Sequence, residues 1–242
     1  MADLLMTRPH DAAQRFVAML PETLTVGLQV IYSPLISVQP VGDDINLDSG
    51  EAVIFTSSNG VSATASIPDC NDRVAYCLGQ RTSLKAKDAG WQALMCGKTA
   101  DDLVANLLQR RPSEPLVHMR GQHSRGNIVE RLTEAGLTCR EKVVYDQTLL
   151  PLTVEARSAL STSHDVIVPL FSPRTARQFA DLCPAGSKIH VIAMSETVAM
   201  SIKTLKYKDL QICREPEAQS MLQLVHDVAA QLIRVESDKS AQ

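Results

Sequence analysis

The residues best suited to chemistry are two serines, each of which follows a strand-like run and stands where a helix would begin. Residues 52–61 form an apolar run that ends in hydroxyl side chains, and residues 166–176 repeat this pattern, so that Ser57 matches Ser172. A helix that begins directly after a strand presents free backbone N–H groups, which bind carboxylate or phosphate without a cationic side chain. The alternative for each serine is simple helix capping.

Threonines and arginines also follow predicted strands. The threonines are Thr56, Thr82 and Thr197, and the arginines are Arg8, Arg120, Arg125 and Arg174. A guanidinium binds a carboxylate through two parallel hydrogen bonds, whereas many surface arginines interact only with water. A threonine hydroxyl either binds an anion or caps a helix. The set favours a ligand that carries carboxylates.

Tyr145 stands at the end of a predicted strand, beside a predicted connection between domains. From such a position its phenol could donate a proton to a leaving group. A buried tyrosine with a purely structural role explains the same position, and the residues alone leave both interpretations open.

Other chemistries lack their sequence signatures. No strand is followed by G-x-G-x-x-G, and neither a P-loop motif nor a G-x-S-x-G elbow is present. His118 and His123 are five residues apart, which does not place them on one helix face, and no carboxylate or thiol completes a metal site. We therefore expect no metal, nucleotide or flavin.

The elements that must position these residues alternate between strand and helix, which indicates a parallel α/β architecture. A first half-unit recurs about 112 residues later, with Arg8 matching Arg120, and the run at residues 52–61 recurs at a similar distance. The repeats can pair in tandem, or the middle two can be inserted between the outer two. Extended segments at residues 37–41 and 145–150 flank the middle pair and favour insertion. Ligands of such sheets bind at the strand ends, in a cleft between the domains.

Composition is that of an ordinary globular protein. The chain has 242 residues, of which 45% are hydrophobic and 21% charged, and its formal net charge of -3 argues against a nucleic-acid partner. The six cysteines form no C-x-x-C pair and are expected to be reduced. No apolar run approaches the about 18 residues of a membrane span, so we expect a cytoplasmic protein.

Five stretches in order resemble the uroporphyrinogen-III synthase family. They are LLMTRP at 4–9, IFTSSNGV at 54–61, YCLGQRT at 76–82, VVY at 143–145 and LFSPRTA at 170–176. The resemblance implies two flavodoxin-like parallel-sheet domains, with the second inserted into the first through a two-stranded linker. The implied ranges are 1–36 with 151–242 for domain 1, 42–143 for domain 2, and 37–41 with 144–150 for the linker strands.

The resemblance also implies the activity. Members of this family are cofactor-free lyases of haem biosynthesis that cyclise hydroxymethylbilane to uroporphyrinogen III with inversion of ring D. The upstream hydroxymethylbilane synthase is an implied partner, and a monomer is expected. The alternative from another class is a non-enzymatic two-domain α/β protein that binds a small molecule.

By position, Tyr145 matches the cleft tyrosine of the family and Thr82 matches the threonine that follows its glycine turn. Ser57 and Ser172 match the strand-end serines. The chain departs from the family at residues 194–199, where Thr197 is kept but Val198 replaces the next threonine.

Overall fold

The computed structural model describes residues 2–42, 45–67, 70–124, 126–162 and 164–240. The strands are β1 (Ala2–Met6), β2 (Leu28–Tyr32), β3 (Ile36–Pro40), β4 (Ala52–Phe55), β5 (Val74–Cys77), β6 (Gln92–Met95), β7 (Leu116–Gly121), β8 (Cys139–Leu149), β9 (Val166–Leu170), β10 (Ile189–Ala193) and β11 (Asp209–Ile212). The α-helices are α1 (His10–Val17), α2 (Glu22–Thr25), α3 (Ser58–Ala63), α4 (Gln80–Asp88), α5 (Ala100–Arg110), α6 (Ile128–Glu134), α7 (Val154–Ser161), α8 (Pro173–Leu182), α9 (Glu196–Met200) and α10 (Ala218–Ser240).

Two compact units divide the chain. Unit 1 comprises Met1–Ser37 and Leu149–Gln242, and unit 2 comprises Val38–Thr148. Strand β8 begins at Cys139 and is therefore longer than the linker strand expected at residues 144–150.

Unit 1 contains a sheet in the order β11-β10-β9-β1-β2, in which the described strand pairs are parallel. The inner strands β1 and β9 are buried along their whole length because helices cover both faces of the sheet. Leu5 packs into a cluster with residues of α7, α8 and α9, whereas Leu4 and Met6 pack with residues of α1 and α10. This alternation follows from the two-residue period of a strand.

Unit 2 contains a sheet in the order β3-β8-β7-β4-β5-β6. The pairs from β8 through β6 are parallel. Val53 and Phe55 face the side of α3 and α4, where the ring of Phe55 meets the ring of Trp91 edge-on with their centroids 5.3 Å apart. Ile54 faces the opposite side, with residues of α5 and α6.

A bidentate ion pair lies at the amino end of β4 in unit 2. Glu51 is 6% exposed and accepts two hydrogen bonds of 2.7 Å from the guanidinium of Arg140. The Arg140 hydrogen bonds lower the pKa of Glu51 despite its burial. Arg73 donates to the carbonyls of Asp48 and Glu51, so two arginines fix the turn that leads into β4.

Helix α10 continues through Ser240, and no glycine or proline interrupts it. Helix α4 begins at Gln80, directly after Gly79, which turns the chain at φ 77°. Residues 45–48 have no regular secondary structure, and residues 49 and 50 form a turn. Arg125 lies outside the described residues.

Candidate functional site

The predicted site residues of unit 2 gather at one edge of its sheet. Thr56 and Ser57 directly follow β4, Thr82 lies in the helix after β5, and Tyr145 lies in β8. Because β4, β5, β7 and β8 are parallel, their carboxyl ends share this edge, where open α/β sheets bind ligands. Unit 1 presents Arg8, Ser172, Arg174 and Thr197 at the equivalent edge of its own sheet.

Ser57 and Ser172 cap their helices with nearly the same geometry. Ser57 has φ −151° and ψ 142°, and its Oγ accepts from the N–H of Asn59 at 3.1 Å. Ser172 has φ −146° and ψ 148°, and its Oγ accepts from the N–H of Thr175 at 3.2 Å. Capping is therefore a real role of both serines. The cap hydrogen bond of Ser57 uses its hydroxyl oxygen as an acceptor, so the hydroxyl hydrogen can still be donated to a ligand.

Thr82 and Thr197 do not cap helices. Thr82 is the third residue of α4, is 6% exposed, and follows a glycine N-cap that has no side chain. Thr197 is an exposed second residue of α9, whose N-cap Ser195 makes no side-chain cap hydrogen bond. The first N–H groups of these two helices thus lack a capping side chain, and they offer donors to an anion.

Tyr145 is 7% exposed and packs with the core on the α3 and α4 side of unit 2. Its backbone carbonyl accepts from the N–H of Gln122 at 2.9 Å. Its hydroxyl makes no hydrogen bond to another described residue, and it is not a fully buried unpaired atom, since the described residues include none. A buried structural tyrosine usually pairs its hydroxyl, so this phenol retains its capacity to donate.

In unit 1 the guanidinium of Arg8 lies over the ring of Phe171, with Cζ 4.0 Å from the ring centroid. Phe16 supports the same ring edge-on at 5.1 Å. This contact holds the cation in the turn between β1 and α1. Arg174 is the second residue of α8 and is partly buried.

Arg120 is the penultimate residue of β7, at the carboxyl end of that strand. Its Nε and Nη2 donate to the carboxylate of Glu141 at 2.8 and 2.6 Å. Its Nη1 donates to the carbonyls of Gly121 and Gln122 at 2.9 and 3.1 Å. The Glu141 hydrogen bond raises the pKa of Arg120, and the guanidinium is engaged with the protein itself. Sequence reasoning missed Glu141 because the pairing of β7 with β8 is what brings it there.

His118 was considered only as a metal ligand, but it contacts a predicted site residue. It is 2% exposed, and its Nε2 lies 3.1 Å from Oγ1 of Thr56. Desolvation and the Arg120 charge lower the pKa of His118 to about 4, which Glu141 only partly opposes. Over the described part of the chain, no three His, Cys, Asp or Glu side chains are grouped to hold a metal ion.

Comparison with known proteins identifies the relatives of this chain. The family model described as uroporphyrinogen-III synthase HemD matches residues 20–223. A uroporphyrinogen-III synthase of Chlorobaculum parvum is 26% identical over 231 residues, which cover 86% of this chain and 91% of the relative.

A solved structure shares the fold. Uroporphyrinogen-III synthetase from Helicobacter pylori matches with a TM-score of 0.68 at 16% identity, covering 94% of this chain and 100% of that one. A mutant uroporphyrinogen III synthase from Thermus thermophilus matches at a TM-score of 0.49 and 13% identity, covering 96% and 99%. Among the described residues, no helix is long and apolar enough to cross a membrane.

Proposed function

This chain belongs to the uroporphyrinogen-III synthase family, and from that premise we propose that it cyclises hydroxymethylbilane to uroporphyrinogen III with inversion of ring D. The reaction is a lyase reaction, because the hydroxyl of the substrate leaves as water during ring closure. The observation that carries the proposal is the Tyr145 phenol, which is nearly buried at a carboxyl edge and has no hydroxyl partner in the described residues.

Tyr145 acts as the general acid in this proposal. Its hydroxyl donates a proton to the leaving hydroxyl of the bilane, the C–O bond breaks, and water departs. The pyrrole N–H of the cation left behind then returns a proton to the Tyr145 phenolate, which gives the neutral azafulvene. The resulting azafulvene closes through a spiro intermediate, which inverts ring D. General acid assistance contributes about a hundredfold or more to such a step.

The other site residues bind and orient the carboxylate arms of the substrate. In unit 2 these are Thr56, Ser57 and Thr82, together with the N–H groups at the start of α4. In unit 1 they are Arg8, Ser172, Arg174 and Thr197. Backbone and hydroxyl donors suit this role because they favour anions and do not react with the electrophilic azafulvene.

The cellular setting follows from the same premise. The enzyme works in the cytoplasm as a monomer, and it receives its unstable substrate from the upstream hydroxymethylbilane synthase. Light scattering of the purified chain, with and without that synthase, tests the monomeric state and the contact with the synthase.

Product identity tests the function itself. Hydroxymethylbilane left alone closes to the symmetric type I isomer, whereas this enzyme directs it to type III. Chromatography of the oxidised products after incubation with the purified chain should show mainly type III. An isomer ratio equal to that of a protein-free sample favours the non-enzymatic binding protein instead.

A further inference from the structure

The pairing of β7 with β8 contains an irregularity beside Tyr145. Arg120 pairs with Val143, but the next residue, Gly121, pairs with Tyr145, so Val144 is an extra residue in β8. Such a β-bulge changes the direction of the side chains that follow it. Val144 and Tyr145 consequently pack in the same core cluster, although neighbours in a regular strand face opposite sides. The bulge therefore decides which face the phenol is on.

Gly121 leaves the space that the ring of Tyr145 occupies. A Cβ atom at Gly121 would lie 2.5 Å from Cε2, 2.6 Å from Cζ and 3.0 Å from the phenol oxygen of Tyr145. Contacts this short are not tolerated, so the ring and any side chain at position 121 exclude each other. Gly121 does not have a positive φ, so its requirement is for space and not for a special backbone conformation.

Arg120 holds the backbone that carries this glycine. Its guanidinium bonds both oxygens of Glu141 on β8 and the carbonyls of Gly121 and Gln122. The N–H of Gln122 in turn donates to the carbonyl of Tyr145. Residues 120–122 lie opposite the extra residue Val144, and we term them the bulge segment. Hydrogen bonds join them to Glu141 and to Tyr145 of β8, the strand that bears the phenol.

We propose that the bulge segment is a positioning device for the Tyr145 phenol, in which Gly121 provides the space for the ring and Arg120 fixes the backbone around it. The inference rests on the proposed role of Tyr145 as the general acid. It assigns Arg120 to positioning, through Glu141 and the two carbonyls, in place of direct binding of substrate. A displacement of a reacting group by about 1 Å can lower turnover about a hundredfold.

Gly121→Ala tests this directly, with Gly27→Ala as the matched control. Gly27 also lacks a positive φ, and its added Cβ would meet a side chain, Cδ1 of Ile233 at 2.8 Å, in unit 1. We expect Gly121→Ala to lower kcat at least about tenfold while KM stays within about twofold. Gly27→Ala should leave kcat unchanged. Equal kcat for Gly121→Ala and the unmodified enzyme would overturn the proposal.

A double-mutant cycle separates positioning from general damage to the fold. If Gly121 acts through the phenol, Gly121→Ala should cost almost nothing further in a Tyr145→Phe background, so the double variant stays within about twofold of Tyr145→Phe. Multiplicative losses from the two changes would contradict the proposal. Arg120→Lys is a milder second probe, because one ammonium cannot make the four bonds of the guanidinium, and it should show the same lack of additivity.

Fluorine NMR provides a readout that does not need activity. The four tyrosines can be labelled as 3-fluorotyrosine, and the Tyr145 signal is assigned by its loss in Tyr145→Phe. Gly121→Ala and Arg120→Lys should each shift this signal, whereas Gly27→Ala should not. An unmoved signal in Gly121→Ala refutes the positioning device. Failure to form the type III isomer refutes the proposed function alone, so the two failures are distinguishable.

Discussion

His118 illustrates how the surroundings of one residue set its chemistry. Burial and the Arg120 guanidinium lower its pKa from 6.5 to about 4, so the imidazole is neutral at neutral pH. A neutral imidazole has one donor and one acceptor nitrogen. His118 can therefore hold the Thr56 hydroxyl at 3.1 Å without adding a positive charge to the core of unit 2.

This lowered pKa predicts a loss of stability in acid. Below about pH 6.5 the unfolded chain binds a proton at His118, but the folded chain does so only near pH 4, so stability present above pH 6.5 declines across that window. One pKa unit corresponds to about 1.4 kcal/mol, so the loss amounts to about 3 kcal/mol. Urea unfolding at several pH values should show this extra decline in the unmodified chain and not in His118→Gln. Parallel stability profiles would contradict it.

The sequence could predict which residues stand at strand ends, but not which partners they meet. Ser57 and Ser172 were found because strand, hydroxyl and helix follow one another directly in the chain. The partner of Arg120 could not be found this way, since Glu141 is brought close only by strand pairing. The space at Gly121 could not be predicted either, because it depends on a bulge in β8 that no local sequence pattern indicates.

At the scale of elements, two helices begin with equivalent serine caps, and this predicts equivalent losses. Ser57→Ala and Ser172→Ala should each lower the free energy of unfolding by about 1 kcal/mol, because each removes one acceptor of a first-turn N–H. Hydrogen exchange at the first turns of α3 and α8 measures the effect. Ser113→Ala, outside the helices, is the control. No change in protection in either variant would argue against the capping role.

A second prediction at this scale concerns the ion pair that leads into β4. Glu51→Gln should destabilise unit 2 by about 2 kcal/mol, because it weakens two charge-assisted hydrogen bonds to the partly exposed Arg140. Protection of β4 and β7 against hydrogen exchange should fall. Glu134→Gln, at an exposed glutamate of α6, should change little, and equal behaviour of the two variants would contradict the prediction.

Elements with strong local patterns were predictable, and the rest were not. The apolar runs of β1, β4 and β9 are buried on both faces and stand out in the sequence. Strand β11 gives a weak sequence signal because its residues are exposed or only partly buried and form no continuous apolar run. The end of α10 is polar, but nothing in it interrupts a helix.

At the scale of the whole molecule, the repeat in the sequence has a counterpart in the sheets. Unit 1 has the order β2-β1-β9-β10-β11, and unit 2 contains the order β8-β7-β4-β5-β6. In each sheet, two strands of one half-unit lie beside three strands of the other half-unit, and the spatial order of the corresponding strands is the same. The recurrence could be found from one sequence because it places Arg8 and Arg120, and Ser57 and Ser172, at matching points.

The sequence favoured insertion only through the extended segments at residues 37–41 and 145–150, since tandem and inserted arrangements use the same order along the chain. Long-range strand pairing shows which half-units share a sheet: β1 pairs with β9, and β4 pairs with β7. Such contacts join residues far apart in sequence, so no pattern within one half-unit specifies them.

The central claim is that the chain directs ring closure to type III through the phenol of Tyr145, and an isomer ratio measured in competition tests it most directly. Spontaneous closure to type I occurs in the same sample as the enzymatic reaction. The ratio of type III to type I product therefore reports the enzymatic rate relative to the constant rate of spontaneous closure. At equal enzyme concentration the unmodified chain should give almost only type III, and Tyr145→Phe should lower the ratio about a hundredfold without a loss of thermal stability. A ratio for the unmodified chain equal to that of buffer alone would contradict the account.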